Sequence, residues 1–298
     1  MKKRLLLLLL LLLLTGRAAG ETVVTSFYPI WLFTLNLTEG LENVTVKNLA
    51  APDTGCLHDY QLQTADMKAL SEADVFLVNG AGMESFLPMI ASAFPDLPVV
   101  EASAGIPLLR DTGALEIGEA EAEEEGVNAH IWLDPTLAAR MVANLAEGLQ
   151  QALPDRAEAI AANRDALLLR LQQLDETLRA GLADLPRRDI VTFHEAFPYF
   201  ARAYDLRVVA VVNREPGETL TPAQMSELAE AVQQLGNPPL FIEPQYEDLS
   251  ARIIATETGA AVYELDPVVT GPGEDVPPDY YETVMLKNMS VLQEALGG

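Results

Sequence analysis

The sequence predicts an α/β protein in two lobes, each a parallel sheet flanked by helices, joined by one long rigid helix. Three observations carry that expectation. Short β-branched runs alternate with helical periods through residues 22–100. The same alternation returns through residues 190–296. Between them lies a single long helical pattern that opens at Pro154 and ends before Pro186. Strand–helix alternation of this kind builds parallel sheets with helices on both faces. A helix of ~30 residues rises on the order of 45 Å, which suits a rigid connector better than a flexible linker.

The first twenty residues are expected to stand outside the fold. Met1-Lys2-Lys3-Arg4 is a positive start, residues 5–14 are all leucine, and Ala18-Ala19-Gly20 is a small-residue cleavage site ahead of Glu21. This is the pattern of a secretory signal peptide. A membrane-spanning helix needs roughly 20 apolar residues, more than the leucine run supplies. No cysteine follows the run as a lipobox would require, and no later stretch is apolar enough to span a bilayer. The expected location is therefore extracytoplasmic, periplasmic or at the cell surface, with no membrane insertion once the leader is removed. The expected division is leader 1–20, first lobe 21–153, connecting helix 154–185 and second lobe 186–298.

In the first lobe, residues 22–27 read as a buried strand and 29–37 as a helix opened by Pro29. Residues 44–49 form a second strand that leads into a loop. Thr64-Ala65-Asp66-Met67 reads as an N-cap and first turn, with Met67, Leu70 and Ala73 on one face. Residues 75–78 are a third strand, stopped by Asn79-Gly80. A helix is expected over 84–94 and a short strand over 98–100. Residues 111–127 hold glycine and a dense run of acids, Glu119 to Glu125 among them, and read as a solvated loop, with a weak cation-gathering flap near the site entrance as the alternative. Asp134-Pro135 opens a helix to about residue 153.

The connector carries Ile160, Leu167, Leu168, Leu171, Leu174 and Leu178 near helical spacing. In the second lobe, residues 190–193 are a strand that delivers His194 at its carboxyl end. Strands follow over 208–212, 240–242 and 261–265, with helices over 221–235, 246–258 and 280–296. Gly259 stops one helix, and the last two strands end at Glu243-Pro244 and Asp266-Pro267. Ligands of such folds bind outside the carboxyl ends of the strands. His194, Glu243 and Asp266 all occupy that position.

Charge narrows the partners. The chain has 44 acidic and 19 basic residues, a formal charge of -25. Without Lys2, Lys3, Arg4 and Arg17 the balance becomes 15 basic against 44 acidic, or -29. That argues against nucleic acid and anionic membranes as partners. It is compatible with gathering cations, without giving specificity.

The chain has only three histidines, His58, His130 and His194, spaced by 72 and 64 residues. Any shared site must be assembled by the fold. Neutral imidazole is the commonest ligand for zinc and related metals. Each residue also has a plain structural role open to it: a loop surface for His58, a helix cap for His130, a strand-end core position for His194, a turn for Asp266. Their joint occurrence favours the ligand reading. Glu243 is balanced between orienting an imidazole and a structural role. Trp132 and Phe197 read as core or site-wall aromatics. Cys56, the only cysteine, permits no internal disulfide. A thiolate there could bind metal, but the favoured reading is a small apolar residue beside the site.

The motifs resemble those of the cluster A-I solute-binding proteins, the ZnuA/TroA-like zinc and manganese receptors of ABC importers. The segments that carry the resemblance are His58-Asp59-Tyr60-Gln61-Leu62, the His-x-Trp-Leu-Asp-Pro run from His130 to Pro135, and the Phe-His-x-Ala-Phe-x-Tyr-Phe run from Phe193 to Phe200. Glu243-Pro244-Gln245 and Leu265-Asp266-Pro267 complete the set, over essentially the whole chain after the leader. The resemblance implies a metal held between the lobes by His58 and His130 from the first and His194 and Asp266 from the second. Three imidazoles and a carboxylate make a tetrahedral site of the kind zinc prefers, at roughly 2.0 to 2.2 Å per bond. Manganese members usually have glutamate at the third position, where this chain has His194. Nitrogen favours zinc, so Zn2+ is the expected cargo, with Mn2+ or ferrous iron the alternative. Two departures stand out. Residues 111–127 hold no histidine, where zinc members often carry a histidine-rich loop. Residues Thr54-Gly55-Cys56-Leu57 replace a commoner Glu-Pro or similar pair.

The implied function is capture of zinc and delivery to the permease and ATPase of an importer by a monomeric receptor that is no enzyme. A zinc hydrolase is the rival, since Glu195 follows His194 and Glu243 could act as a base. Catalytic zinc keeps an open position, which a fourth ligand at Asp266 would close, and no His-Glu-x-x-His is present. An adhesin has only the export signal in its favour.

Overall fold

The computed structural model describes residues 20–57, 60–110, 115–117, 126–212, 220–246 and 249–297. Residues 1–19 of the expected leader, His58, Asp59 and most of the acidic run lie outside them. Two parallel sheets organise the chain. The first contains β1 (Glu21–Thr25), β2 (Val44–Asn48), β3 (Val75–Val78) and β4 (Val99–Glu101) in the order β2-β1-β3-β4. The second contains β5 (Leu115–Ile117), β6 (Asp189–Thr192), β7 (Arg207–Val212), β8 (Leu240–Ile242) and β9 (Val262–Glu264) in the order β5-β7-β6-β8-β9. Apart from β5, the second sheet repeats the order of the first. In both sheets the chain reverses its direction of travel across the sheet beside the first strand of the lobe. Val23 and Val24 of β1 and all four residues of β3 are buried, as strands covered on both faces require.

β5 is a correction to the expected loop at 111–127. Leu115, Glu116 and Ile117 pair in parallel with Ala210, Val211 and Val212, so the chain crosses to the second sheet before returning at Asn128. Edge pairing is made by backbone groups, and a three-residue strand among acids gives no periodic signal.

In the first half, α1 (Tyr28–Leu37) has Pro29 in its first turn. α2 (Thr64–Ser71) is capped one residue earlier than expected. Gln63 is its N-cap, and the Gln63 backbone N–H donates to Asp66 Oδ2 at 2.7 Å. α3 (Leu87–Ala93) starts later than expected, because the carboxylate of Glu84 accepts backbone N–H groups instead of leading a helix. α4 (Pro135–Ala152) is capped by Asp134, whose Oδ1 accepts from Thr136 N and Oγ1 at 2.9 and 2.6 Å. A single 3-10 turn, Pro154–Arg156, leads into α5 (Ala157–Leu182), the connector. Its 26 residues rise roughly 39 Å. Ile160, Leu167, Leu171, Leu174, Leu178 and Leu182 form its buried stripe.

The second half adds α6 (Pro198–Ala203), not anticipated, then α7 (Pro222–Gln234), α8 (Leu249–Thr258) and α9 (Tyr280–Leu296). α9 packs on α5 and α1, not only on its own sheet. Phe33 and Tyr281 meet edge to face at 5.2 Å, and Arg170 Nε bonds Glu282 Oε1 at 2.8 Å. One large core therefore runs from the first sheet through α5 to α6 and α9. A smaller core gathers residues of β6, β7, β8, α7 and α8. No helix among the described residues is long and apolar enough to cross a membrane.

Candidate metal centre

His194 lies just past the carboxyl end of β6, and Glu243 just past that of β8. The pairing of Val191 with Leu240 and of Thr192 with Phe241 brings these ends side by side, at the point where the second sheet reverses. Both side chains are buried. His194 Nδ1 and Glu243 Oε1 are 2.6 Å apart, and Gln245 Nε2 donates to Glu243 Oε2 at 2.6 Å. A carboxylate accepts, so Nδ1 carries the proton and Nε2 keeps its lone pair. A carboxylate behind an imidazole is the usual way of fixing ring orientation and basicity at a metal site.

His130 is fixed by different chemistry. Asn128 Nδ2 donates to the Glu195 carbonyl at 2.7 Å, which leaves Asn128 Oδ1 as an acceptor. That oxygen takes the His130 backbone N–H at 3.0 Å and lies 3.2 Å from His130 Nδ1. Nδ1 therefore holds the proton and Nε2 is the donor available to an ion. The rings of His130 and His194 stand edge to face with centroids 4.8 Å apart. The segment after His130 turns through Ile131–Leu133 and buries Trp132 completely. Trp132 Nε1 donates to the Pro267 carbonyl at 2.7 Å, which ties this segment to the one that carries Asp266.

Among the described residues, the potential ligand atoms that come together are those of Cys56, His130 and His194, all within 4.8 Å of one another. Cys56 Sγ is 3.4 Å from His130 Nε2. The residue read from sequence as a small apolar neighbour of the site packs against the larger core and has its sulfur beside the two imidazoles. Its place two positions before His58 was the signal available. His58 itself lies outside the described residues, between the buried Leu57 and Tyr60. Gly55, ahead of Cys56, has φ +85°, and a Cβ there would stand 2.7 Å from the Tyr246 hydroxyl of the second lobe. The loop before His58 and the loop after Glu243 therefore touch beside the site.

Asp266 is not in that group of three. Its backbone is held on both sides by the Asn288 amide, at 2.9 and 2.7 Å, and its Oδ1 accepts from Val268 N at 2.8 Å. Burial pushes its carboxyl pKa up, with Glu243 and Glu264 adding to the rise, while the Val268 N–H and Lys287 oppose it. Tyr28 and Tyr280, which feel the Asp266 charge, are also held up, mainly by burial.

The corresponding place in the first sheet holds Glu84. Its Oε1 and Oε2 accept from the N–H groups of Asn79 and Gly80 at 2.7 and 3.0 Å, just past β3. Asn79 Nδ2 in turn donates to the Ala129 carbonyl beside His130 at 3.0 Å. Burial pushes the Glu84 carboxyl up to about 7, against the pull of those N–H groups. Sequence reading named Glu243 and Asp266 but missed Asn128, Glu84 and the contact made by Cys56.

The arrangement presents two imidazole nitrogens of fixed tautomer and one sulfur from different parts of the chain. The family model described as ZnuA, zinc-uptake complex component A periplasmic, matches residues 23–295. The zinc-binding lipoprotein AdcA of Streptococcus pneumoniae (strain ATCC BAA-255 / R6) is 29% identical over 278 residues, covering 91% of this chain and 55% of that protein. The manganese-binding lipoprotein MntA of Halalkalibacterium halodurans is 31% identical over 207 residues, covering 69% of this chain and 66% of that protein. A solved structure of the SBP FpvC from Pseudomonas aeruginosa in complex with Mn2+ superposes with a TM-score of 0.81 at 26% identity, covering 93% of this chain and 98% of that one. The chain spans about half the length of the first curated relatives it matches.

Proposed function

Because the chain belongs to the zinc-uptake complex component A family, we propose that it is an extracytoplasmic receptor that captures Zn2+ and delivers it to the permease and ATPase of an ABC importer. The observation that carries the reading is the pair of buried imidazoles, His130 and His194, each with Nδ1 set against a dedicated acceptor. The proposed ligands are His58, His130, His194 and Asp266. The similar AdcA is named as zinc-binding. Manganese is the second reading, since MntA is named as manganese-binding and FpvC was solved with Mn2+. Nitrogen donors favour zinc, whereas manganese suits carboxylate and water.

The mechanism is capture, without bond-breaking chemistry on the cargo. Ligands from the two lobes replace the water around the ion, and binding releases protons. The receptor works as a monomer. The leader at 1–20 supports export, and the acidic surface supports the attraction of cations. The shared core around α5 and α9 supports a small shift between open and closed forms rather than a wide hinge.

Competition calorimetry on the metal-free protein, zinc first and manganese second, with elemental analysis of the protein as purified, tests this. One tightly bound zinc per chain that excess manganese does not displace is the expected result. A preference for manganese, or no tight zinc binding, overturns it.

A further inference from the structure

The three ligand atoms that the structure brings together include a sulfur. Cys56 Sγ and His130 Nε2 are 3.4 Å apart. Two ligands on one tetrahedral zinc, nitrogen at about 2.0–2.1 Å and sulfur at about 2.3 Å, stand roughly 3.5 Å from each other. The observed pair already has the edge length that a shared ion would impose. The His194 donor completes a triangle whose sides are all within 4.8 Å, a span that modest closure brings to the same length.

The aim of the sulfur is set by its neighbours. Leu57 is fully buried and anchors the chain on one side. Gly55, in its left-handed conformation against Tyr246, anchors it on the other. Cys56 is only partly buried and is in no disulfide. Cys56 packs at the edge of the larger core with its sulfur facing the imidazoles, and bridging needs a second cysteine that the chain does not have. The unprotonated nitrogen of His130 faces it, because Asn128 holds the other ring proton.

We propose that Cys56 Sγ is a direct ligand of the bound cation, alongside His130 Nε2 and His194 Nε2, and takes one of the two remaining tetrahedral positions that the reading above gives to His58 and Asp266. The site then takes borderline and thiophilic cations, zinc and cadmium in particular, and discriminates against manganese through sulfur as well as nitrogen. On binding, the S–H bond breaks, its proton leaves to solvent, and the sulfur lone pair forms the bond to the ion. This assignment rests on the metal-receptor reading above.

Cobalt(II) titration of the full chain, of Cys56→Ser and of Cys56→Ala, followed by absorption, tests it. Wild-type protein is expected to develop a sulfur-to-cobalt charge-transfer band in the near ultraviolet. Both variants should lose that band while keeping the visible bands of bound cobalt. The ratio of zinc to manganese affinity should fall about tenfold or more in Cys56→Ser. Cobalt bound by wild type without the charge-transfer band overturns the ligand role of Cys56 and leaves the receptor reading standing. Failure of wild type to bind either cobalt or zinc overturns both. Cys56 is the only thiol of the chain, so the wild-type band decides the matter even where a variant folds poorly.

Discussion

His194 Nδ1 lies 2.6 Å from Glu243 Oε1, with both side chains buried at the carboxyl ends of adjacent strands. The second oxygen of that carboxylate is taken by Gln245, so the ring is held by a partner that is itself held. The imidazole therefore has one orientation and one tautomer before any ion arrives.

Replacing Glu243 by Gln keeps an acceptor near Nδ1 but removes the charge that supports imidazole basicity. Zinc affinity should fall on the order of 10- to 100-fold, as for other partners behind metal ligands. Competition against a chelating dye measures it. An unchanged affinity would mean that Glu243 serves only the fold.

Asn128→Ala removes three contacts at once: the donor to Glu195 O and the acceptor for His130 N and Nδ1. The buried partners are left unsatisfied, at a cost of about 1–3 kcal/mol in urea unfolding. His130 also loses its preference between tautomers, so zinc binding should weaken. Asn128→Asp keeps the acceptor and should retain more of the zinc affinity than of the stability.

Glu84 predicts a pH dependence. Its carboxyl is raised by burial from 4.5 to about 7. A folded pKa above the unfolded one means that its contribution is fully present below about 4.5 and is lost as pH rises through about 7. At 1.36 kcal/mol per unit the full span is roughly 3 kcal/mol. Urea midpoints of the metal-free protein should fall between pH 5 and pH 8, and Glu84→Gln should flatten that slope.

Gly55→Ala meets two obstacles, φ +85° and the Tyr246 hydroxyl at 2.7 Å. It should cost about 1–2 kcal/mol through the left-handed backbone alone and shift Cys56 away from His130. Tyr246→Phe in the same chain should relieve the contact and restore part of the loss. Thermal melting of the single and double variants separates the two terms.

Much of this was legible in the sequence because strands and helices announce themselves by period. The repeated alternation pointed to two parallel sheets and put His194 and Glu243 at strand ends; that those two ends are neighbours comes from the pairing of β6 with β8. Other features depend on groups that carry no pattern. β5 joins the second sheet by backbone pairing with β7, so its acidic surroundings concealed it. Glu84 reads as a helix start by composition, yet its burial makes it a cap for Asn79 and Gly80. Cys56 reads as a small apolar residue, and only the fixed turn at Gly55 and the burial of Leu57 show where its sulfur points. Asn128 matters through the Glu195 carbonyl, a backbone group that no sequence motif displays.

The packing of α9 against α5 and α1 has a consequence for biosynthesis. Tyr281, Met285, Leu292 and Leu296 are buried in the same core as Val23, Phe33 and Leu37. Segments more than two hundred residues apart must therefore meet before the larger core is sealed, while the smaller core can consolidate from neighbouring segments. As the chain grows, α1 and α5 can cover part of each other and of the first sheet, but the patch of α5 that α9 covers stays open until α9 is made. The larger core is therefore closed by contacts far apart in the chain, and the smaller one by contacts close together.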